Sequence, residues 1–247
     1  MFEFQTQLIF PTHAVAGAGP LPPRAERLLL GTPGGYDLAG IHIPPDDPNG
    51  EPLLILGFGG NAWNAQDVAE YLHDLFPQED VIAFHYRGYS PSQGTASAEA
   101  LIADAPLVYD FAVGRMKPKR VIGVGFSIGS GVAAELAAAR KLDGLILVTP
   151  FDSLKAVAQS MYPWLPIGPF FEHEINAVLA IERLEVPVAI IAAQHDEIVP
   201  GERTDALRRR IAQLVFDKTI PGAGHNDIYA RSDFQQSMRE ALAKLGS

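Results

Sequence analysis

Residues 120–141 read RVIGVGFSIGSGVAAELAAARK. The first part is a continuous apolar run without polar alternation, the pattern of a strand covered on both faces. The second part is a string of small residues with helical propensity. Between them lies Gly125-Phe126-Ser127-Ile128-Gly129, so the chain passes from buried strand to helix through one tight turn. The same alternation repeats on either side. PLLILGF (52–58), VIAFHY (81–86), GLILVTPF (144–151), VPVAIIAAQHD (186–196) and LVFDKTIPG (214–222) are strand-sized apolar runs. AQDVAEYLHDLF (65–76), AEALIADAPLVYDFAVGR (98–115), TDALRRRIAQ (204–213) and DFQQSMREALAKL (233–245) carry helical spacing, with Pro106 as a flaw inside the second. This order predicts an α/β architecture: a mostly parallel central sheet flanked by helices on both faces. Residues 1 to about 45 read as a β-rich opening stretch, in which Leu28–Leu30 and Leu38–Ile43 form an N-terminal antiparallel hairpin around GTPGGYD.

Composition narrows the function classes. A chain of 247 residues with 47% hydrophobic content suits one domain over residues 1–247, with 152–185 as the only candidate insert. The net charge of −10 and the lack of a basic block argue against nucleic acid and against an anionic membrane surface. With no cysteine, disulfide frameworks, cysteine-ligated zinc and thiol nucleophiles are all excluded. No apolar run approaches the roughly 18–20 residues of a membrane span. The opening MFEFQTQLIFP lacks a basic n-region and is interrupted by Glu3, Gln5 and Gln7, so it is not a signal peptide. The expectation is a soluble cytoplasmic protein without a membrane anchor.

The G-x-S-x-G string at 125–129 sits where a nucleophile elbow requires it, between a strand and a helix. So sharp a turn crowds the residues two before and two after Ser127, which is why glycine stands at both. Ser127 then projects at the positive end of the following helix. Asp196, in IIAAQHDEIVP, lies just past a buried strand, and His225, in PGAGHNDI, just past the last one. In a parallel sheet those strand ends face one side, so the three side chains can converge. A serine hydroxyl becomes a competent nucleophile when a neutral imidazole takes its proton, and the imidazole needs a carboxylate to fix its tautomer and stabilise its charge. Singly, Asp196 suits a turn and His225 a glycine loop; together, in this order, they form a catalytic set. The loop Gly57-Phe58-Gly59-Gly60-Asn61-Ala62 can aim backbone N–H groups at a developing oxyanion, and the N–H groups of Asn61 and Ile128 are the candidates.

Other readings are weaker. Gly57-x-Gly59-x-x-Ala62 resembles a dinucleotide fingerprint, but the next strand ends His85-Tyr86-Arg87, with no acidic residue for a ribose. There is no P-loop string. His195 adjoins Asp196, yet neighbouring strand residues point to opposite faces, so they make no metal pair. Arg208-Arg209-Arg210 reads as a solvated helix face paired with Glu202 or Asp205. No metal ligand set and no organic cofactor are expected.

The chain resembles the α/β-hydrolase superfamily, and within it the Bem46-like serine hydrolases, through FGGNAWN (58–64), YRGYSPSQG (86–94), GFSIGSG (125–131), TPFDSL (149–154), HDEIVP (195–200) and GAGHND (222–227). The resemblance implies the α/β-hydrolase fold, with Ser127 as nucleophile, Asp196 as acid and His225 as base. Where relatives commonly read His-Gly-Asn, this chain has Gly59-Gly60-Asn61; the membrane segment that precedes the domain in some eukaryotic relatives is not expected here.

The stretch Met161 to Phe171 is rich in proline and apolar bulk and falls where such folds insert a cap. It serves either as the wall of an acyl pocket or as ordinary core packing. Tyr162, Trp164 and Phe170, with Phe58 and Phe126 beside the elbow, are the candidate pocket residues. The expected function is hydrolysis of an ester-type bond in a small-molecule or acyl substrate through a serine–histidine–aspartate triad and an acyl-enzyme. A peptidase, thioesterase or acyltransferase would use the same triad, and a catalytically silent hydrolase-fold binding protein is the alternative from another class.

Overall fold

The computed structural model describes residues 2–47, 51, 53–163 and 171–246. Its strands are β1 (Glu26–Gly31), β2 (Asp37–Ile43), β3 (Leu53–Phe58), β4 (Asp80–Phe84), β5 (Arg120–Phe126), β6 (Gly144–Val148), β7 (Val188–Ala193) and β8 (Leu214–Ile220). They form one eight-stranded sheet in the order β1-β2-β4-β3-β5-β6-β7-β8. The hairpin β1–β2 and the β2–β4 pairing are antiparallel, and every pairing from β4 onward is parallel. The helices are α1 (Phe2–Ile9), α2 (Ala65–Leu75), α3 (Ala98–Met116), α4 (Ile128–Ala139), α5 (Leu154–Met161), α6 (Ala177–Ile181), α7 (Gly201–Arg208) and α8 (Ser232–Leu245).

Each central strand feeds two cores, because successive side chains leave the sheet on opposite faces. Leu54, Leu56 and Phe58 of β3 join a cluster with Leu101 of α3, Val132 and Leu136 of α4 and Leu207 of α7. Ile55 joins the opposite cluster, with Val68 and Leu72 of α2 and Phe234 and Met238 of α8. Burial on both faces explains why these strands read as unbroken apolar runs. Polar side chains set the helix starts: Asn64, Ser97 and Ser153 accept from the N–H groups of Asp67, Ala100 and Ala156 at the heads of α2, α3 and α5. Helix α3 continues through Pro106 to Met116.

Three boundaries differ from the sequence reading in ways that matter for the site. The opening stretch is not all β: residues 2–9 are helical, although their residue pattern is compatible with a strand. This helix is tied down by tertiary contacts, with Phe10 buried and Thr6 Oγ1 2.8 Å from His173 Nε2. Strand β4 stops at Phe84, which releases Tyr86 and its neighbours into a loop. Helix α4 starts at Ile128, directly after the turn serine, rather than at 130.

The antiparallel edge is pinned by one imidazole. His42 of β2 pairs through Nδ1 with Glu26 Oε1 of β1 at 3.0 Å and through Nε2 with Asp80 Oδ1 of β4 at 2.7 Å. Burial disfavours the charged ring, but the hydrogen bonds it donates to the carboxylates of Asp80 and Glu26 outweigh this and hold the His42 pKa above its ordinary value. A raised folded pKa gives stability that is complete below the unfolded histidine pKa of about 6.5 and is lost as pH rises through the folded value. The Tm gap between the wild type and His42→Gln is therefore expected to be wider near pH 6 than near pH 9; thermal unfolding at the two pH values measures it, and an equal gap would refute the charged pairing.

Candidate active site

The turn after β5 is as tight as its glycines require. A Cβ on Gly125 would lie 2.3 Å from the Gly129 carbonyl oxygen, and one on Gly129 would lie 2.1 Å from the carbonyl oxygen of Phe58 and 2.6 Å from that of Gly59. Ser127 between them is held at φ 52°, ψ −119°, in the half of backbone space that side chains disfavour. Its N–H donates to Val148 O at 2.9 Å, and its carbonyl accepts from the N–H and the hydroxyl of Ser130 at 2.9 and 2.6 Å. The strain is thus fixed from β6 on one side and from α4 on the other.

The three sequence candidates meet at the C-terminal edge of the sheet. His225 Nε2 lies 3.0 Å from Ser127 Oγ. His225 Nδ1 lies 2.9 and 2.8 Å from the two carboxylate oxygens of Asp196. A carboxylate only accepts, so Nδ1 carries the proton and Nε2 presents its lone pair to the serine hydroxyl. The side chains of His225 and Asp196 are 5% and 4% exposed, so water competes little for this contact. Asp196 is itself fixed, since its Oδ1 accepts from the N–H groups of Ile198 and Val199 at 3.0 and 2.6 Å. The next residue, Glu197, accepts the backbone N–H of His225 at 3.0 Å. Sequence reasoning missed Glu197; its only signal was adjacency to Asp196.

Asn61 and Ile128 each neighbour a residue of this corner, Gly60 in one case and Ser127 in the other. Ile128 is the first residue of α4, so its N–H has no acceptor within the helix. Among the described residues, no acceptor takes the N–H of Asn61. An ideal Cβ on Gly60 would lie 3.9 Å from Ser127 Cβ, which places the glycine loop against the serine. Asn61 is further tied by its side-chain amide, which donates to Ile9 O at the end of α1 at 2.9 Å.

The pocket candidates fare differently. Phe126 is wholly buried and packs against Trp63, Tyr71 and Tyr229 at ring separations of 5.2, 6.2 and 5.8 Å. This corrects its expected place at the pocket wall, because its position next to Ser127 sends its ring to the opposite face of the sheet. Phe58 is 5% exposed and belongs to the core under α3 and α4. Tyr162 caps the C-terminus of α5 and is half-buried, whereas Trp164 and Phe170 lie outside the described residues. His85 does not join the triad. Its buried ring is pushed down to about 4 by desolvation and stays neutral beside Ala65 at the head of α2. His195 is exposed. Among the described residues no three acidic or histidine side chains gather to hold a metal, and no helix is long and apolar enough to cross a membrane.

The model of the alpha/beta hydrolase family matches residues 53–185, from β3 to just past α6. The chain belongs to the alpha/beta hydrolase family. Among sequence relatives of this hydrolase, the Mycobacterium tuberculosis protein Rv2307c is 31% identical over 220 residues, covering 85% of this chain and 78% of that one. The lysophosphatidylserine lipase ABHD12 of Danio rerio is 31% identical over 142 residues, covering 49% of this chain and 36% of that one. In fold, the hydrolase is similar to the esterase Pf2001 of Pyrococcus furiosus, with a TM-score of 0.75 at 19% identity over 94% of this chain and 96% of that one.

The two neighbouring glycine contacts make opposite demands on stability. Gly129→Ala drives a methyl group into two backbone oxygens that cannot move aside, so a loss of at least about 2 kcal/mol and a fall in Tm of roughly 4–8 °C are expected. Gly60→Ala meets nothing closer than 3.9 Å, and its Tm should stay within about 2 °C of the wild type. Thermal unfolding of the pair checks the close approach of α4 to the β3 loop.

Proposed function

We propose that this hydrolase cleaves ester-type bonds of small-molecule or acyl substrates by serine catalysis through an acyl-enzyme. The observation that carries the reading is the 3.0 Å contact of Ser127 Oγ with a His225 ring whose other nitrogen is committed to Asp196. In the proposed reaction His225 takes the proton of Ser127 as Oγ bonds to the carbonyl carbon. The carbonyl oxygen becomes an oxyanion, bound by the N–H groups of Asn61 and Ile128. His225 then gives its proton to the departing alkoxide as the ester C–O bond breaks. Water, deprotonated by the same imidazole, attacks the acyl-enzyme, and the proton returns to Ser127 Oγ as the acid leaves. Asp196 stabilises the imidazolium throughout.

Two relatives support ester chemistry by name: Pf2001 is an esterase and ABHD12 a lysophosphatidylserine lipase. The same proposal takes the chain as one domain of the Bem46-like branch, with 152–185 as a short cap. Membership of α5 in that cap is supported by Met161, a large apolar side chain left 40% exposed, and Tyr162 then stands beside an acyl site.

The test is hydrolysis of a nitrophenyl ester series of increasing acyl length, beside thioester and amide counterparts, together with labelling by a fluorophosphonate. Ser127→Ala is expected to keep its fold, to lose labelling and to lose kcat by a factor of about 10⁴ or more. Retained ester turnover in that variant would refute the assignment. Faster turnover of thioesters or amides, or capture of the acyl group by added alcohol, would move the enzyme to a sister reaction of the same triad.

A further inference from the structure

The loop that carries Asn61 is made of residues that cannot hold themselves. Gly59 and Gly60 have no side chains, and glycine gives up more backbone freedom on ordering than any other residue. The position of the Asn61 N–H therefore depends on what grips the carbonyls around it. Three consecutive carbonyls are gripped. Gly59 O accepts the hydroxyl of Tyr86 at 2.8 Å, Gly60 O accepts the N–H of Trp63 at 3.3 Å, and Asn61 O accepts the hydroxyl of Tyr89 at 2.8 Å. In a trans peptide the C=O and N–H point to opposite sides. With Gly60 O turned toward Trp63, the N–H of Asn61 in the same peptide plane points the other way. The two tyrosine bonds stop the flanking planes from rotating it out of line.

We propose that Tyr86 and Tyr89 are positioning residues that hold the oxyanion loop of this enzyme, an inference that rests on the serine-hydrolase reading above. Both come from the segment after β4, YRGYSPSQG, whose role the triad leaves unexplained. The segment is a rigid platform. Arg87 forms a two-pronged pair with the buried carboxylate of Asp104 on α3, and its guanidinium lies 4.1 Å over the ring of Tyr36. Gly88, at φ 81°, packs so closely on Ala96 that a Cβ would lie 2.5 Å from its nitrogen. The two tyrosine rings meet edge to face at 5.8 Å. Burial raises both phenols above their ordinary pKa, so each keeps the proton it donates across the working pH range. Each hydroxyl bonds a carbonyl of the loop and acts through it.

A loop loosened by even about 1 Å places its donor badly for the oxyanion, and such misplacement costs on the order of 10²-fold. The effect falls on the transition state and spares ground-state binding. Tyr86→Phe and Tyr89→Phe remove one oxygen each and keep the rings. Each is expected to lower kcat on a nitrophenyl ester about 10-fold, and the double variant about 100-fold, with KM within about twofold. A trifluoromethyl ketone of the same acyl length, which forms an oxyanion on Ser127, should bind more weakly by the same factor as kcat falls. Tyr109→Phe is the matched control: its hydroxyl also binds a backbone carbonyl, that of Lys141 at 2.6 Å, but between α3 and the end of α4, so it should leave kcat and ketone affinity unchanged.

A folded double variant with kcat within about twofold of the wild type overturns the proposal, as does a loss that appears in KM and leaves ketone affinity intact. Should the double variant fail to fold, Tyr86→Phe, whose ring is only partly buried, decides by the same readouts. A wild type that neither turns over esters, thioesters or amides nor binds the ketone overturns the hydrolase reading and this inference with it. An active wild type matched by its tyrosine variants overturns this inference alone.

Discussion

Between Phe58 and Gly129 there is no room for one more carbon. The carbonyl oxygen of Phe58 occupies the place where a Cβ of Gly129 would begin, 2.1 Å away. That approach lets α4 start directly against the end of β3, and much of the site is built on it. It forces the turn between β5 and α4 into a conformation in which Ser127 takes a positive φ. It also brings the unsatisfied N–H at the head of α4 beside the loop that bears the N–H of Asn61. A side chain larger than hydrogen at Gly129 would push helix and loop apart.

Ser127, Asp196 and His225 obey a second constraint, that of parallel strand ends. Ser127 follows β5, Asp196 follows β7 and His225 follows β8, and the adjacency of these strands leaves the imidazole to span from carboxylate to hydroxyl. Its orientation is fixed from both ends. The carboxylate of Asp196 is anchored by two backbone N–H groups of its own turn, and the backbone of His225 is anchored by Glu197. In the proposed reaction, side chains held in this way lose little freedom when a substrate arrives, and such positioning lowers the barrier.

The flexible part of the design is braced from outside. The glycine loop is gripped by hydroxyls from the segment after β4 and, through the amide of Asn61, by the end of α1. The same α1 reaches His173 through Thr6, while Phe10 just beyond it meets the His173 ring edge to face at 5.2 Å. The N-terminal segment therefore links the loop beside the serine to the stretch that precedes α6. A short helix without a strong pattern of its own is kept in place by this linkage.

The residue string alone was enough for the architecture and for naming the three residues proposed as the triad. Unbroken apolar runs mark strands buried on both faces, glycine two before and two after Ser127 marks a turn that excludes side chains, and the order serine, aspartate, histidine places each at a strand end. These features are local, so their physics is written in the residues themselves. Other features required the tertiary structure. The helical state of residues 2–9 depends on docking against distant partners, since an eight-residue helix is marginal alone. The end of β4 at Phe84 was hidden because His85 and Tyr86, ring residues that a strand tolerates, follow it with no turn signal before Gly88. Phe126 was expected at a pocket wall, and Tyr86 and Tyr89 were given no role of their own, because sequence does not tell to which face a ring turns or which carbonyl a hydroxyl meets. Local sterics and periodicity determined the fold and singled out the proposed reactive set; contacts between segments far apart in the chain decided how the loop beside Ser127 is held.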